Sequence, residues 1–229
     1  NVYLNPSNNQ TWKQGEIMKQ PQLAQTLKNL SQSNDPYKLF YEQIAKVILD
    51  DIKKQKNQWD DLLPILTEQD FKDYKANASK MVVTANLTHG NLQHHTFPLP
   101  GSGHVLSFIL RVMEKYNDYN ETSKSLNGSI KFFHRLTETF KYAYAKRMML
   151  GDDNFDDVKD AVNNLTSQGF INFVHSRIDD TKTFPAINTT TNSSYYNVSY
   201  YMKDDHGTAH VSVIDKWGNA AAVSTTVNL

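Results

Sequence analysis

The chain contains no cysteine. That excludes a disulfide framework, thiol chemistry and any thiolate metal site. Net charge is absent too: 24 Lys and Arg balance 24 Asp and Glu, and the pI is near 7.3. No basic field is therefore available to hold nucleic acid or an anionic membrane, and no nucleic-acid partner is expected. No apolar run in the 229 residues approaches the length of a bilayer span, and no signal-peptide pattern is read in them. The sequence opens Asn1-Val2-Tyr3 without Met, as expected of a mature product or a fragment.

What is abundant is asparagine followed two places later by Ser or Thr. Such sequons stand at Asn9, Asn29, Asn77, Asn86, Asn120, Asn127, Asn164, Asn188, Asn192 and Asn197. Chance would supply roughly three or four in a chain with this Ser/Thr content. The excess points to a glycoprotein, secreted or held at the extracellular face of the plasma membrane. Accidental sequons in an Asn-rich chain are the alternative.

Helical periodicity dominates the first four-fifths. Pro21 takes a first helical position ahead of Leu23, Ala24, Leu27 and Leu30. Asp35-Pro36 opens a longer helix bearing Phe40, Ile44, Val47, Ile48 and Ile52, and a Lys/Gln-rich stretch at 53–58 ends it. Thr67-Glu68-Gln69-Asp70 has the form of a capping box. Residues 80–97 favour strands, and Pro98 to Gly103 turns the chain into an apolar helix ending at Met113. Periodicity then predicts an amphipathic helix over 130–150 with Phe133, Leu136, Phe140, Tyr144 and Met148, and shorter helices over 156–165 and 170–178. Tyr195, Tyr196, Tyr200 and Tyr201, set among sequons, read as a loop packed on the core.

The period changes at residue 208. Val211 and Val213 alternate with polar residues, Asp215-Lys216-Trp217-Gly218-Asn219 turns the chain, and Ala220 to Val227 returns: a β-hairpin. A three-residue loop, Lys216-Trp217-Gly218, places Gly at the left-handed bulge position and sets Asp215 opposite Asn219. Thr208 then falls opposite Thr226, and Thr208, Thr226 and Asn228 share one face at the open end. A Thr that follows a Gly and opens a strand can act as an N-terminal nucleophile if the chain is cut before it, its freed α-amine serving as base. A strand Thr with only a packing role is the competing reading.

The wider string bears on that choice. Thr208-Ala209-His210-Val211-Ser212-Val213, Gly218-Asn219 and Thr225-Thr226-Val227-Asn228 resemble the small-subunit signature of gamma-glutamyltranspeptidases, the glutathione hydrolases. Phe133-His134-Arg135, Phe140-Lys141-Tyr142-Ala143-Tyr144-Ala145-Lys146-Arg147 and Leu150-Gly151-Asp152 are similar to a large-subunit helix of that family. So are Gln20 to Leu27, Phe40-Tyr41 with Ile44-Ala45, and Pro98 to Gly103.

The resemblance implies an α+β chain, part of an N-terminal-nucleophile hydrolase built as an α-β-β-α sandwich. It implies a mainly helical large-subunit portion, 1–207, and the start of a small subunit, 208–229, from one precursor. Thr208 would be the nucleophile and, with Gly207, the self-cleavage junction. Thr226 would orient Thr208, and Asn228 would contact the α-amino/carboxylate end of the γ-glutamyl group. The donor would be glutathione or another γ-glutamyl compound, and the acceptor water, an amino acid or a dipeptide. No cofactor or metal is implied. His206, Ala221 and Ser224 depart from the usual small residue, Val and Thr. The family's carboxylate-binding Arg is expected upstream of Asn1, and its acidic residues, Ser-Ser pair and Gly-Gly oxyanion hole beyond Leu229. Each lost oxyanion donor costs on the order of 10²–10³ in rate, so this stretch alone is expected to be a poor catalyst.

Other polar groups read as structural. His89, His94, His95 and His104 lack the i,i+4 spacing of helical metal ligands. Asp152, Asp153, Asp156 and Asp157 lack calcium-loop spacing. The expectation is a γ-glutamyl hydrolase/transferase, and the alternative a catalytically silent secreted relative acting as a binding or decoy protein.

Overall fold

The computed structural model describes residues 3–54, 65–75, 82–118, 124–185, 195–198 and 208–226. The chain mixes helices with short antiparallel hairpins and divides into two compact units, Asn1–Ala78 and Ser79–Leu229.

In the first unit, Leu4–Asn5 (β1) pairs with Gln10–Thr11 (β2), a minimal hairpin inside a stretch that the sequence alone reads as irregular. Helix α1, Pro21–Gln32, starts at the proline, whose missing N–H is one that a first helical residue leaves unbonded anyway. It buries no residue. Helix α2 spans 36–54. Asp35 caps it by accepting from the Lys38 N–H at 2.9 Å. Its turns widen to π-helical over Leu39–Ile44 before returning to α over Ala45–Lys54. The short α3, Glu68–Asp73, carries the capping box in full: Thr67 and Asp70 each bond the other's backbone N–H. Tyr41 stacks on Tyr74 at 5.1 Å and touches Tyr37, whose hydroxyl donates to the Tyr74 carbonyl.

The second unit begins with the hairpin of β3, Val83–Leu87, and β4, Leu92–Thr96, joined by a tight 3₁₀ turn. Helix α4 follows, Gly103–Met113. Its first residue must be glycine. A Cβ there would lie 2.0 Å from the Phe97 carbonyl oxygen and 2.6 Å from Thr96 Cγ2. Helix α5, Leu126–Arg147, starts four residues before the apolar period suggests. Ser125 sets that start: its hydroxyl accepts from the Gly128 N–H at 3.0 Å. Helices α6, Lys159–Thr166, and α7, Gln168–Arg177, complete the helical layer. Ser167 closes the first and caps the second, accepting from the Phe170 N–H at 3.1 Å. Arg111 bonds the Thr166 carbonyl at 2.7 Å and Gln168 at 3.1 Å, pinning this junction to α4.

The core of this unit gathers Val105, Phe108, Ile109 and Val112 of α4, Tyr142, Ala143 and Ala145 of α5, Leu165 of α6, Ile171 and Val174 of α7, and Tyr196. Tyr196 is thus packed as the tyrosine-rich segment suggests, while Tyr200 and Tyr201 lie outside the described residues. The apolar stripe of α5 behaves differently. Phe133, Phe140 and Tyr144 are exposed at 63%, 41% and 51%, whereas Arg135, Glu138 and Thr139 are buried. Beside Tyr142, Ala143 and Ala145, the inward face of α5 accommodates charged groups because they are paired: Arg135 with Asp118 and Asp180, and Glu138 with Lys141. The last hairpin, β5, Ala209–Ile214, and β6, Ala220–Thr225, is exposed along both strands.

Candidate active site

Everything about the Thr208 region follows from how its hairpin turns. Asp215 organises the turn. Its Oδ1 accepts from the Trp217 and Asn219 N–H groups at 2.8 and 2.9 Å, and its Oδ2 accepts from Asn219 Nδ2 at 2.8 Å. Hydrogen bonds from Asn219 foremost hold its carboxyl below the ordinary carboxylate range, against a smaller opposing effect of burial. Gly218 takes the left-handed conformation at φ +85°, and its N–H bonds the Asp215 carbonyl at 3.1 Å. The Asp215 N–H in turn reaches the Asn219 carbonyl at 3.0 Å. The three-residue loop fixes the ladder, which runs Ile214↔Ala220, Val213↔Ala221, Ser212↔Ala222, Val211↔Val223, His210↔Ser224 and Ala209↔Thr225.

This is the register that the sequence predicts, with paired numbers summing to 434. Thr208 and Thr226 each stand one residue beyond the Ala209↔Thr225 rung, so the fold brings these two hydroxyl residues to the same open end. Alternation sets Thr208, His210 and Ser212 on one face of β5, with Ser224 and Thr226 on the same face of β6. The other face carries Val211, Val213 and Val223, all more than half exposed. Gly207 and Asn228 lie outside the described residues.

From the sequence, His210 is expected on the Thr208 strand face as a structural residue rather than the base, because the α-amine serves that role. In the structure both ring nitrogens are engaged, Nδ1 2.7 Å from Ser224 Oγ and Nε2 2.9 Å from Ser212 Oγ. The signal for this was available: 210 and 224 also sum to 434, and Ser212 is the next residue on that face.

Among the sequons, Asn9, Asn29, Asn86, Asn127 and Asn197 are exposed and Asn164 is half-buried. Asn77, Asn120, Asn188 and Asn192 lie outside the described residues. His95 Nδ1 lies 3.1 Å from Thr84 Oγ1, its cross-strand partner, and His104 lines a cleft with Asp153, Asp156 and Asp157. Burial holds the His104 imidazole below its ordinary pKa, partly offset by the Asp153 charge. Among the described residues, no group of three His, Asp or Glu side chains is placed to hold a metal ion.

Comparison with known proteins covers the chain from end to end. The gamma-glutamyltranspeptidase family model matches residues 1–229. Scoloptoxin SSD14 of Scolopendra dehaani is 33% identical over 99% of this chain and 36% of its own length. Glutathione hydrolase 5 proenzyme of Mus musculus is 27% identical over 91% of this chain and 34% of its own length. The chain therefore spans about a third of the length of these relatives. The crystal structure of Helicobacter pylori gamma-glutamyltranspeptidase superposes with a TM-score of 0.60 over 89% of this chain and 53% of that one, at 22% identity, and so shares the fold. The chain belongs to the gamma-glutamyltranspeptidase family.

Proposed function

We propose that this chain is the central stretch of a γ-glutamyl hydrolase/transferase that acts through an N-terminal threonine. The observation that supports the reading is the hairpin register, whose last rung, Ala209↔Thr225, is followed by Thr208 on one side and Thr226 on the other, in a chain that matches the family throughout. In the precursor, the Thr208 hydroxyl attacks the Gly207 carbonyl, the Gly207–Thr208 amide bond breaks to leave an ester and a free α-amine, and water hydrolyses the ester to release residue 207 as a new C-terminus. The freed α-amine of Thr208 then takes the hydroxyl proton as Oγ attacks the γ-carbonyl of glutathione or a related donor. The amine portion of the donor leaves with a proton. Water or an amino acid or dipeptide attacks the resulting ester and regenerates Thr208. Thr226 orients the hydroxyl and Asn228 holds the far end of the γ-glutamyl group. The surrounding architecture is the α-β-β-α sandwich of N-terminal-nucleophile hydrolases. A relative named as a proenzyme agrees with processing of a precursor into two subunits. Ten sequons, with exposed asparagines in five of the six that lie among the described residues, support passage through the glycosylation machinery to the cell exterior.

A second reading has its own support. A relative named as a toxin, scoloptoxin SSD14, 33% identical, leaves room for a catalytically silent secreted relative acting as a binding or decoy protein. Denaturing electrophoresis of the full-length protein separates the two. The enzyme reading expects two chains joined at Gly207–Thr208 in the precursor, a single band for Thr208→Ala, and release of the anilide from a γ-glutamyl anilide. One uncut, inactive band leaves the binding protein.

A further inference from the structure

We infer that His210 is a positioning residue for Thr208 rather than its proton acceptor, an inference that rests on Thr208 being the nucleophile. The bridge to Ser224 runs straight across the ladder, and the bridge to Ser212 runs along the strand. Imidazole in its neutral form has one donor nitrogen and one acceptor nitrogen, and here each faces a serine hydroxyl. No lone pair is left to receive a proton from Thr208, which lies two residues away along the same face, about 6.5–7 Å from Cα to Cα.

What the clasp does is mechanical. A hairpin is held at its closed end by its turn, here by Asp215 and Gly218, and frays at its open end, where Thr208 and Thr226 stand. The residues between offer little side-chain grip. Ala209, Ala220, Ala221 and Ala222 have only methyl groups, and Val211↔Val223 grips the opposite face. On the Thr208 face the His210–Ser224 rung is the polar cross-strand contact next to the nucleophile rung. A slip of one residue would turn Thr226 to the other face, and a slip of two would carry it past Thr208. His210 holds that register from the open side.

The test is a mutant cycle on the full-length protein. It compares wild type, His210→Phe, Ser224→Ala and the double variant, with kcat and KM for a γ-glutamyl anilide and the Tm of each. His210→Phe keeps a ring of similar size without its nitrogens. It should lower kcat by about 10- to 100-fold, as misplacement of a reacting group does, with KM within about twofold. Ser224→Ala should lower kcat in the same sense, and the double variant should be no worse than His210→Phe, because His210→Phe already removes the His210–Ser224 contact that Ser224→Ala removes. His210→Gln, which can donate and accept, should recover part of the loss. If His210→Phe does not accumulate folded, ring ¹⁵N shifts in wild type and Ser224→Ala decide instead: both nitrogens hydrogen-bonded in wild type, with Nδ1 alone perturbed by the serine change. Multiplying losses, an unchanged kcat in His210→Phe, or rescue of His210→Ala, which opens space for a ring, by free imidazole would each overturn the positioning role, the last by showing a base. A wild-type protein that neither splits before Thr208 nor releases anilide overturns the nucleophile reading and this inference with it.

Discussion

The Tyr196 hydroxyl donates a 2.5 Å hydrogen bond to Glu138 Oε2, and both residues are almost fully buried, at 1% and 3% exposure. Lys141 Nζ and the Thr183 hydroxyl complete the shell around the other carboxylate oxygen, at 2.6 and 2.5 Å from Oε1. This one carboxylate ties the tyrosine segment and the stretch after α7 onto α5. Burial alone would push the Glu138 carboxyl up; the bonds from Lys141, Thr183 and Tyr196 together outweigh it and hold the group below its ordinary value.

Tyr196→Phe keeps the packed ring and removes the hydroxyl. It leaves a buried carboxylate short of one donor, which costs about 1.5–3 kcal/mol for a hydrogen bond to a charged group. Urea titration of the second unit should show the midpoint fall with an unchanged m-value. Equal midpoints for wild type and variant would mean that the hydroxyl contributes nothing net. The pH sign is fixed by the lowered carboxyl. Stability from Glu138 is full above the unfolded pKa of about 4.3 and is lost as pH falls through the folded value.

Arg135, about one turn before Glu138 on α5, is the corresponding anchor for Asp118 and Asp180. It bonds Asp180 through Nε and Nη2 at 2.7 and 2.8 Å and both Asp118 oxygens through Nη1 at 2.8 and 2.9 Å. Lys131 adds contacts to the same two carboxylates at 3.4 and 3.2 Å. Arg135→Ala leaves the two aspartates with Lys131 as their remaining cation among the described residues. The two aspartates keep about a third of their surface in solvent, so the loss should sit near the lower end of the roughly 3–5 kcal/mol typical of a broken buried pair. Arg135→Lys should recover only part, because an ammonium cannot match the two-sided fork. Thermal denaturation of the three proteins should rank wild type first, Lys second and Ala last.

A third expectation concerns acid. His175 packs at 4.5 Å on the Tyr116 ring, and the same ring carries the Arg135 guanidinium at 4.1 Å from its centroid. Burial first, then the Lys115 and Arg135 charges, push the His175 pKa down, with Asp180 opposing. A histidine with a lowered folded pKa binds protons more readily when unfolded. Stability is therefore full above about pH 6.5 and declines as pH falls from there through the folded value. His175→Phe should flatten the change in Tm between pH 7.5 and 5.5. A wild-type Tm that stays level across this window rules the mechanism out.

The hairpin is legible in sequence because its rules are local: a loop of known length with Gly218 at the left-handed position determines every rung out to Thr208. Caps at Asp35 and Thr67 are legible for the same reason, since a cap needs only residues three apart. Helix α5 is not. Its apolar residues Phe133, Phe140 and Tyr144 mark the exposed face, and the residues that decide its orientation, Arg135 and Glu138, look like solvent-facing charges. Their partners Asp118, Asp180 and Tyr196 lie 17, 45 and 58 residues away, and no periodicity reports such pairings. The clasp of His210 falls between these cases: rung arithmetic gives Ser224 as its neighbour, but only coordinates show both ring nitrogens occupied.

The last expectation joins turn to site. Gly218 has φ +85° with open space where a Cβ would go, so Gly218→Ala meets backbone strain without a clash. Holding a non-glycine residue in that region costs about 1–2 kcal/mol. Asp215→Ala removes a different support, the acceptor of the Trp217 and Asn219 amides. Either change weakens the closed end of a ladder whose open end holds Thr208 and Thr226. Amide hydrogen exchange should therefore quicken first at the turn, in the Gly218 and Asn219 amides, and then across the ladder. If the register carries Thr208 into place, both variants should also slow conversion of the precursor into two chains. Wild-type conversion rates in variants with faster exchange would show that Thr208 is held by something other than this hairpin.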